Sequence, residues 1–344
     1  MPRSYATAGL QSGATDQTLV RDLQRDLRAL GYLREGIDGA FGAGTGLAVR
    51  RLQFDLLNNA GASTRDDGAA PVAITGYNQG RVTVETGVVD AGLAACIDDM
   101  LADAALPKLP SAADAVAANS AARAAVAAIA NAPAPAPFLL AIFRQESGGR
   151  HYVEPSSHDA DSFIMLGLDA NPASLSHVTS RGYGIGQYTL FHHPPRADEV
   201  QDFMTDAVRN VQKAFGELRG KFDNAVISPV AGAGADDRAV EHPLLNSLRL
   251  CRYGASDARY MRDCQACAAQ VAKRDLTPTT PVYDGAATTY GTAPHYSPTT
   301  YAGVPDRADF QCDWPYAVRR YNGGGADSYN YQARVLLNLL NSGG

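Results

Sequence analysis

The hydrophobic positions between residues 138 and 149 repeat at the spacing of one helical face. Leu139, Ile142 and Phe143 stand at i, i+3 and i+4, so they share a face that a helix can bury. Glu146, seven residues after Leu139, continues that row. Partial burial of such a carboxylate raises its pKa and suits it to proton donation near neutral pH. From the spacing alone, a solvent-exposed glutamate at a helix end is the better interpretation, so motifs elsewhere in the chain have to decide.

Three helices are predicted in the N-terminal third of the chain. The first has a row of leucines at helical spacing: Leu19, Leu23, Leu27 and Leu30. Asp16 or Thr18 is available as its N-cap, and Gly31 is its C-terminal stop. A glycine-rich turn leads to a second helix over residues 45–57, and a third is expected over residues 89–101.

Four motifs follow one another in this region. They are Val20-x-x-Leu23-Gln24-x-x-Leu27-x-x-Leu30-Gly31-Tyr32, Ile37-Asp38-Gly39-x-Phe41-Gly42, Thr45-x-x-Ala48-Val49-x-x-Leu52-Gln53 and Thr86-Gly87-Val88-Val89-Asp90. The ordered set resembles the three-helix peptidoglycan-binding domain over residues 17–103. The chain departs from that family between Asn58 and Val84, where the family has a shorter link. Gln24, Asp38 and Phe41 are interpreted as residues that cap turns and fill a small core, so no binding residue is assigned here.

The remaining chain divides at an Ala/Pro-rich stretch. Residues 1–16 are interpreted as an N-terminal tail, 104–136 as a linker and 137–344 as a second domain. The prolines at the end of the linker favour an extended spacer, because each fixes φ and lacks an amide donor. The alanine-rich part has strong helix propensity, so a structured helix is the alternative. A further insert is expected at about 227–313.

Composition limits the classes of function. The chain has 344 residues, 45% of them hydrophobic and 19% charged, which is typical of soluble globular domains. Its formal net charge of −6 argues against nucleic acid as a partner. No apolar run is long enough to span a membrane, and the N-terminus lacks the pattern of a signal peptide. Four cysteines lie close together in the C-terminal half: Cys251, Cys264, Cys267 and Cys312. They allow two disulfides, free thiols or one zinc site; no metal site or cofactor is predicted.

A polar region over residues 150–180 is interpreted as a solvated loop, since its His and Asp spacings match no zinc pattern. The glycines of Gly184-Ile185-Gly186-Gln187 then permit a tight backbone course beside a ligand. This is the second of four motifs that follow one another along the chain. The first is Ile142-x-x-x-Glu146-Ser147-Gly148, the third is Asp206-x-x-x-Asn210, and the fourth is Tyr321-Asn322-x-Gly324 with Tyr329 and Val335. The ordered set resembles the lysozyme-like superfamily, closest to soluble lytic transglycosylases and goose-type lysozymes. The expected fold is therefore mainly α: a three-helix wall-binding domain plus an α-rich lysozyme-like catalytic domain with an irregular insert.

The resemblance implies a glycosidase that cleaves the β-1,4 bond between N-acetylmuramic acid and N-acetylglucosamine in peptidoglycan. Glu146 is the implied catalytic acid. The implied substrate-binding residues are Ser147, Gly184, Gln187, Tyr188, Tyr321 and Asn322. A lytic transglycosylase needs no second carboxylate, whereas a muramidase would take one from the long interval after Glu146: Asp159, Asp161 or Asp169. Two further functions are compatible with the sequence, a chitinase-like endolysin and a non-catalytic cell-wall binding protein.

A wall-binding module without a recognisable signal predicts delivery by a dedicated machine. The expected routes are a type VI secretion effector with antibacterial activity or a phage enzyme, made in the cytoplasm and acting in the periplasm or cell wall of a target cell. Peptidoglycan glycan strands are the expected partner. The effector route further predicts an immunity protein or a component of the secretion machine as a partner.

Overall fold

The computed structural model describes residues 3–6, 9–65, 67–129, 133–157, 159–222, 314–322, 331, 334, 335, 338 and 339. The chain divides into two compact units. The first comprises Met1–Ala122 and Arg150–Asn210, and the second comprises Arg123–Gly149 and Val211–Gly344. The predicted insert at about 227–313, with Cys251, Cys264, Cys267 and Cys312, lies outside the described residues, and the remaining cysteine, Cys96, is a buried free thiol.

The N-terminal helices match the expectation from the sequence. They are α1 (Gln17–Ala29), α2 (Ala43–Asn58) and α3 (Ala91–Ala102), with a short 3₁₀ helix, Ile74–Tyr77, between the last two. The Asp16 side chain caps α1 by accepting from the backbone N–H groups of Thr18 and Leu19. The apolar faces of the helices meet in one core that includes Leu23, Leu27 and Leu52. These three leucines are fully buried, as the helical spacing predicts.

The alanine-rich part of the predicted linker forms helix α4 (Ala115–Ala128), the alternative that its helix propensity allows. Helix α5 follows at Ala136–Ser147 and begins directly after Pro135, where a missing amide donor costs no helical hydrogen bond. The later helices are α6 (Ala197–Glu199), a π-helical turn at Val200–Met204, α7 (Ala207–Phe222) and α8 (Trp314–Tyr321).

A three-stranded antiparallel sheet replaces the solvated loop that the sequence predicts over residues 150–180. Its strands are β1 (Leu166–Asn171), β2 (Ser174–Tyr183) and β3 (Tyr188–Leu190), in the order β1-β2-β3. Leu166 lies opposite Tyr183 in the register of β1 and β2, and Tyr183 lies opposite Tyr188 in that of β2 and β3. The loop prediction was therefore wrong. The physical reason lies in β2, where the positions that point inward include Ser176 and Ser180 as well as Val178.

Buried ion pairs join this sheet region to the N-terminal helices inside the first unit. Arg28 of α1 lies 3.0 Å from Asp161, and Arg181 of β2 lies 3.3 Å from Asp55 of α2. Each of these four side chains is at least nine-tenths buried. The division into compact units therefore does not coincide with the predicted domain boundary at residue 136. The boundary between functional domains stays a prediction.

Helix α5 lies in the second unit and supplies a buried apolar face. Leu139, Ile142 and Phe143 are fully or almost fully buried, as their spacing predicts. Phe222 at the end of α7 stacks on Trp314 of α8, with ring centroids 3.9 Å apart. The predicted inward row of α7 is buried at Val211, Phe215 and Leu218 but not at Val208, which is 37% exposed. That part of the prediction was wrong: Val208 lies in the first turn of α7, in the stretch that belongs to the first unit.

Candidate functional site

Glu146 occupies the last turn of α5, where the buried face of the helix reaches the surface. Its side chain is half-buried, while Ser147 beside it is 3% exposed. The Ser147 hydroxyl donates to the Phe143 carbonyl at 3.1 Å. Gly148 ends the helix in the left-handed conformation at φ 65°, which a glycine adopts without a steric penalty. Ser147 therefore helps to finish the helix that presents Glu146.

A tyrosine that the sequence analysis did not single out contacts the Glu146 carboxylate. The Tyr331 hydroxyl donates to Glu146 Oε1 at 2.5 Å, a distance typical of a strong hydrogen bond to a charged oxygen. Tyr331 is 7% exposed. Burial raises the pKa of Tyr331, and the neighbouring carboxylate raises it further, so the phenol remains a proton donor. The only local signal was a run of tyrosines near the C-terminus, which does not specify a partner.

Tyr321 and Asn322 lie at the end of α8 in the same unit. Tyr321 is half-buried and close enough to Tyr331 to contribute to its raised pKa. Asn322 is exposed, and its backbone N–H donates to the Arg319 carbonyl at 3.3 Å. Within the second unit, the structure thus brings Glu146, Tyr331 and Tyr321 into one electrostatic neighbourhood.

The glycine motif forms the turn between β2 and β3 in the first unit. Gly184 has φ +73°, and a Cβ atom there would lie 2.4 Å from the His151 ring and 2.8 Å from the Asn210 amide nitrogen. Glycine is therefore required for packing as well as for backbone conformation. Asn210 Oδ1 accepts from the Gly186 N–H at 2.9 Å, and its amide nitrogen donates to the Tyr183 carbonyl at 3.0 Å. The motif is held rigid from both sides.

His151 fills the other side of this turn as a neutral imidazole. Its Nδ1 accepts from the Ile185 N–H at 3.2 Å, which leaves Nε2 to donate to the Met204 carbonyl at 3.0 Å. Burial lowers its pKa to about 4, although the Met204 carbonyl acts in the opposite direction. His151 is thus a structural partner of the glycine turn.

Gln187 and Tyr188 complete the turn. Gln187 is a non-glycine residue at φ 50°, and its side-chain amide donates to the Gly184 carbonyl at 2.8 Å. Tyr188 packs edge-on against Phe203, with ring centroids 4.9 Å apart. Both side chains are partly exposed. The structure places Gly184, Gln187 and Tyr188 together, and their role in substrate binding stays a prediction.

The three aspartates weighed as a second carboxylate have structural partners. Asp161 is fully buried against Arg28, and the cost of burial raises its pKa although Arg28 acts to lower it. Asp159 accepts from the backbone N–H groups of Ile37, at 3.0 Å, and of Asp161, at 2.9 Å. Asp169 is exposed and accepts from the Ser180 hydroxyl at 2.9 Å. Asp161 is thus enclosed, whereas Asp159 and Asp169 retain contact with solvent.

Residues 16–56 match the family model described as "Putative peptidoglycan binding domain". The chain carries an N-terminal peptidoglycan-binding domain. This agrees with the resemblance that the ordered motifs indicate. No curated protein and no solved structure matches the chain.

Two polar residues of the peptidoglycan-binding domain, Gln24 and Gln53, have structural roles in its fold. Gln24 is 1% exposed, and its side chain donates to Asp38 and Thr45 and accepts from the Gly39 N–H at 2.8 Å. Gln53 fastens the turn at Gly87 in the same way, accepting from its N–H at 2.8 Å. This confirms the capping interpretation of Gln24.

In the part of the chain that the structure describes, no helix combines the length and apolarity that crossing a membrane requires. Nor do the described residues contain a group of three or more His, Cys, Asp or Glu side chains arranged to hold a metal ion.

Proposed function

We propose that the chain is a peptidoglycan glycosidase that uses Glu146 as its catalytic acid and cleaves the β-1,4 bond between N-acetylmuramic acid and N-acetylglucosamine. The observation that carries the proposal is the 2.5 Å hydrogen bond from Tyr331 to Glu146 Oε1. A buried donor fixes the orientation of the carboxyl group, and a fixed orientation is what general acid catalysis needs. The peptidoglycan-binding domain supports the choice of substrate.

The reaction begins with Glu146 in its protonated form. Tyr331 donates to Oε1, and the carboxyl group of Glu146 carries the proton to be transferred. Glu146 passes this proton to the glycosidic oxygen while the bond from that oxygen to the muramyl C1 breaks and positive charge develops on C1. The C6 hydroxyl of the same sugar then attacks C1 and returns its proton to Glu146. The products are a free 4-hydroxyl on the leaving sugar and a 1,6-anhydro ring, and no water is consumed.

This transglycosylase ending is favoured over hydrolysis by the environment of the candidate second carboxylates. Asp161 has no exposed surface and is paired with Arg28 at 3.0 Å, so it has no access to a water molecule to activate. Asp159 accepts from two backbone donors, and Asp169 accepts from Ser180. Among the three aspartates, a muramidase mechanism would therefore depend on one of these two partly exposed carboxylates, each of which already serves a structural contact.

The decisive experiment replaces Glu146 with Gln in the full chain. Glu146→Gln should retain binding to purified sacculi and lose lysis, because the amide keeps the shape of the side chain but cannot donate the proton. Glu35→Gln, on an exposed side chain of the peptidoglycan-binding domain, is the matched control and should lyse normally. Lysis by Glu146→Gln at the unaltered rate would refute the catalytic assignment, and inactivity of the unaltered chain would favour a non-catalytic binding protein.

Mass spectrometry of the digest distinguishes the candidate reactions. Anhydro-muramic acid ends are expected, whereas reducing muramic acid ends would show a muramidase. Release of products from chitin oligomers, with sacculi left intact, would show a chitinase-like enzyme.

The peptidoglycan-binding domain indicates association with the cell wall. Delivery as a type VI secretion effector or phage enzyme, and an immunity protein that covers the region around Glu146, remain hypotheses. A neighbouring gene for a secreted inhibitor would support the effector route, and a neighbouring holin gene would oppose it.

A further inference from the structure

A second surface of the first unit has the composition of a ligand site. A groove of about 600 Å³ lies between the 3₁₀ helix Ile74–Tyr77 and the C-terminal end of α3. Its polar lining comes from Tyr77, Gln79, Asp99 and Asp103, and its apolar lining includes Val72 and Ala102. The 3₁₀ helix belongs to residues 58–84, the segment in which the chain departs from the family that it resembles.

The aromatic side of the groove is held in place by hydrogen bonds. Tyr77 is half-buried, and its hydroxyl donates to Asp103 Oδ2 at 2.7 Å. Asp103 also accepts from the Ala105 N–H at 2.8 Å. The Tyr77 hydrogen bond, together with that N–H, holds the pKa of Asp103 below its usual range, so this carboxylate stays ionised. The Tyr77 ring is therefore fixed with part of its surface toward solvent.

The lining of the groove also offers planar polar groups. Arg81 pairs with Asp99 at 2.5 Å and donates to the Gln79 side chain at 3.2 Å. Gln79 is exposed and has a left-handed backbone conformation at φ 47°, which is uncommon for a residue other than glycine. Carboxylate and amide groups can each bind neighbouring hydroxyls, since they present two polar atoms in one plane.

The charge balance selects the class of ligand. Arg81 accompanies Asp99, and Lys108 lies close enough to Asp103 to favour its ionised form. The lining is thus close to neutral, with no excess cation to attract an anionic polymer or the carboxylates of a stem peptide. A neutral ligand with an apolar face and many hydroxyls fits best, because it can cover the tyrosine ring and bond to the planar groups.

We propose that this groove is a saccharide-binding site that holds the uncharged sugar backbone of a peptidoglycan glycan strand. The site lies outside residues 16–56, whose shared polar side chains Gln24 and Gln53 are buried in structural roles. The inference rests on the peptidoglycan-binding domain and not on the glycosidase activity, so either can fail without the other.

The test uses the full chain with Glu146→Gln, which leaves glycans intact, and chitin oligomers, which have the same β-1,4-linked N-acetylated sugar backbone and carry no charge. Filling the groove with Ala102→Trp should weaken binding about tenfold, since Ala102 is exposed at the end of α3 and its replacement removes no core contact. Ala91→Trp, at the exposed first residue of the same helix, is the matched control and should bind normally. Tyr77→Ala should weaken binding as much as Ala102→Trp, and Tyr77→Phe, which keeps the ring, should weaken it less.

Hydrogen exchange locates the contact independently of the variants. Added glycan should slow backbone exchange over residues 72–79 and 99–103, with residues 43–58 unchanged. Unaltered affinity in Ala102→Trp together with unaltered exchange in the groove would overturn the site. Binding to sacculi that carry stem peptides, but not to the chitin oligomers, would overturn the saccharide class.

Discussion

The hydrogen bond between Tyr331 and Glu146 sets a measurable contribution to the proposed catalysis. Tyr331→Phe removes the donor to Oε1 and leaves the ring in place. A hydrogen bond to a charged group contributes about 1.5–3 kcal/mol, which corresponds to about 10- to 150-fold in rate if the bond acts fully in the transition state. We expect kcat on sacculi to fall within that range while KM changes little, because the variant disturbs the acid and not the sugar contacts.

A purely structural tyrosine would behave differently. Tyr5→Phe is the matched control, since the fully buried Tyr5 of the first unit donates to Asp26 Oδ2 at the same 2.5 Å. Both variants should lose stability to a similar degree in urea unfolding. Only Tyr331→Phe should lose kcat, and only its pH–rate profile should move on the alkaline limb, toward higher pH, because the lost donor favoured the ionised carboxylate. Equal kcat values for Tyr331→Phe and Tyr5→Phe would refute this role.

Two further predictions concern the framework of the first unit. Arg28→Met leaves Asp161 buried without its cation and should lower the free energy of unfolding by about 3–5 kcal/mol in urea titrations. The double variant Arg28→Met with Asp161→Asn should recover much of that loss. A double variant as unstable as the single one would contradict the argument. His151 has a folded-state pKa of about 4 against 6.5 when unfolded, so protons bind the unfolded chain first. Stability is therefore fully present above pH 6.5 and should fall by about 3 kcal/mol as pH drops to 4. His151→Gln should flatten this fall, and an identical pH dependence in both proteins would exclude His151 as its source.

The helices were predictable because their signals are local. The row of Leu139, Ile142 and Phe143 identifies the buried face of α5, and Asp16 identifies the start of α1, since each pattern is complete within one or two turns. The sheet was not predictable in this way. Strand β2 buries alternate positions, but two of them are Ser176 and Ser180. Alternate residues of β2 are therefore buried although hydrophobic residues do not alternate along the strand, and the region has the composition of a loop.

The candidate site shows the same division between local and distant information. Glu146 could be nominated because the motif around it is one of several ordered motifs that resemble the lysozyme-like superfamily; its local spacing alone favoured a solvent-exposed glutamate. Its partner Tyr331 lies 185 positions away, and nothing in either segment specifies the pairing. The sequence could thus nominate Glu146 as a candidate proton donor but could not identify the tyrosine that contacts it.

Asp161 illustrates why polar composition alone cannot assign a catalytic role. In sequence it is one of several acidic residues in a polar stretch, so it qualifies as a second carboxylate on the same grounds as Asp159 or Asp169. Its charge is instead matched by Arg28, which lies off the leucine row of α1 and would be expected in solvent. The free-energy cost of burying either charge is offset only when the other charge is buried beside it. The ion pair with Arg28 makes Asp161 important for folding. The same contact keeps the Asp161 carboxylate away from any water molecule that it would have to activate.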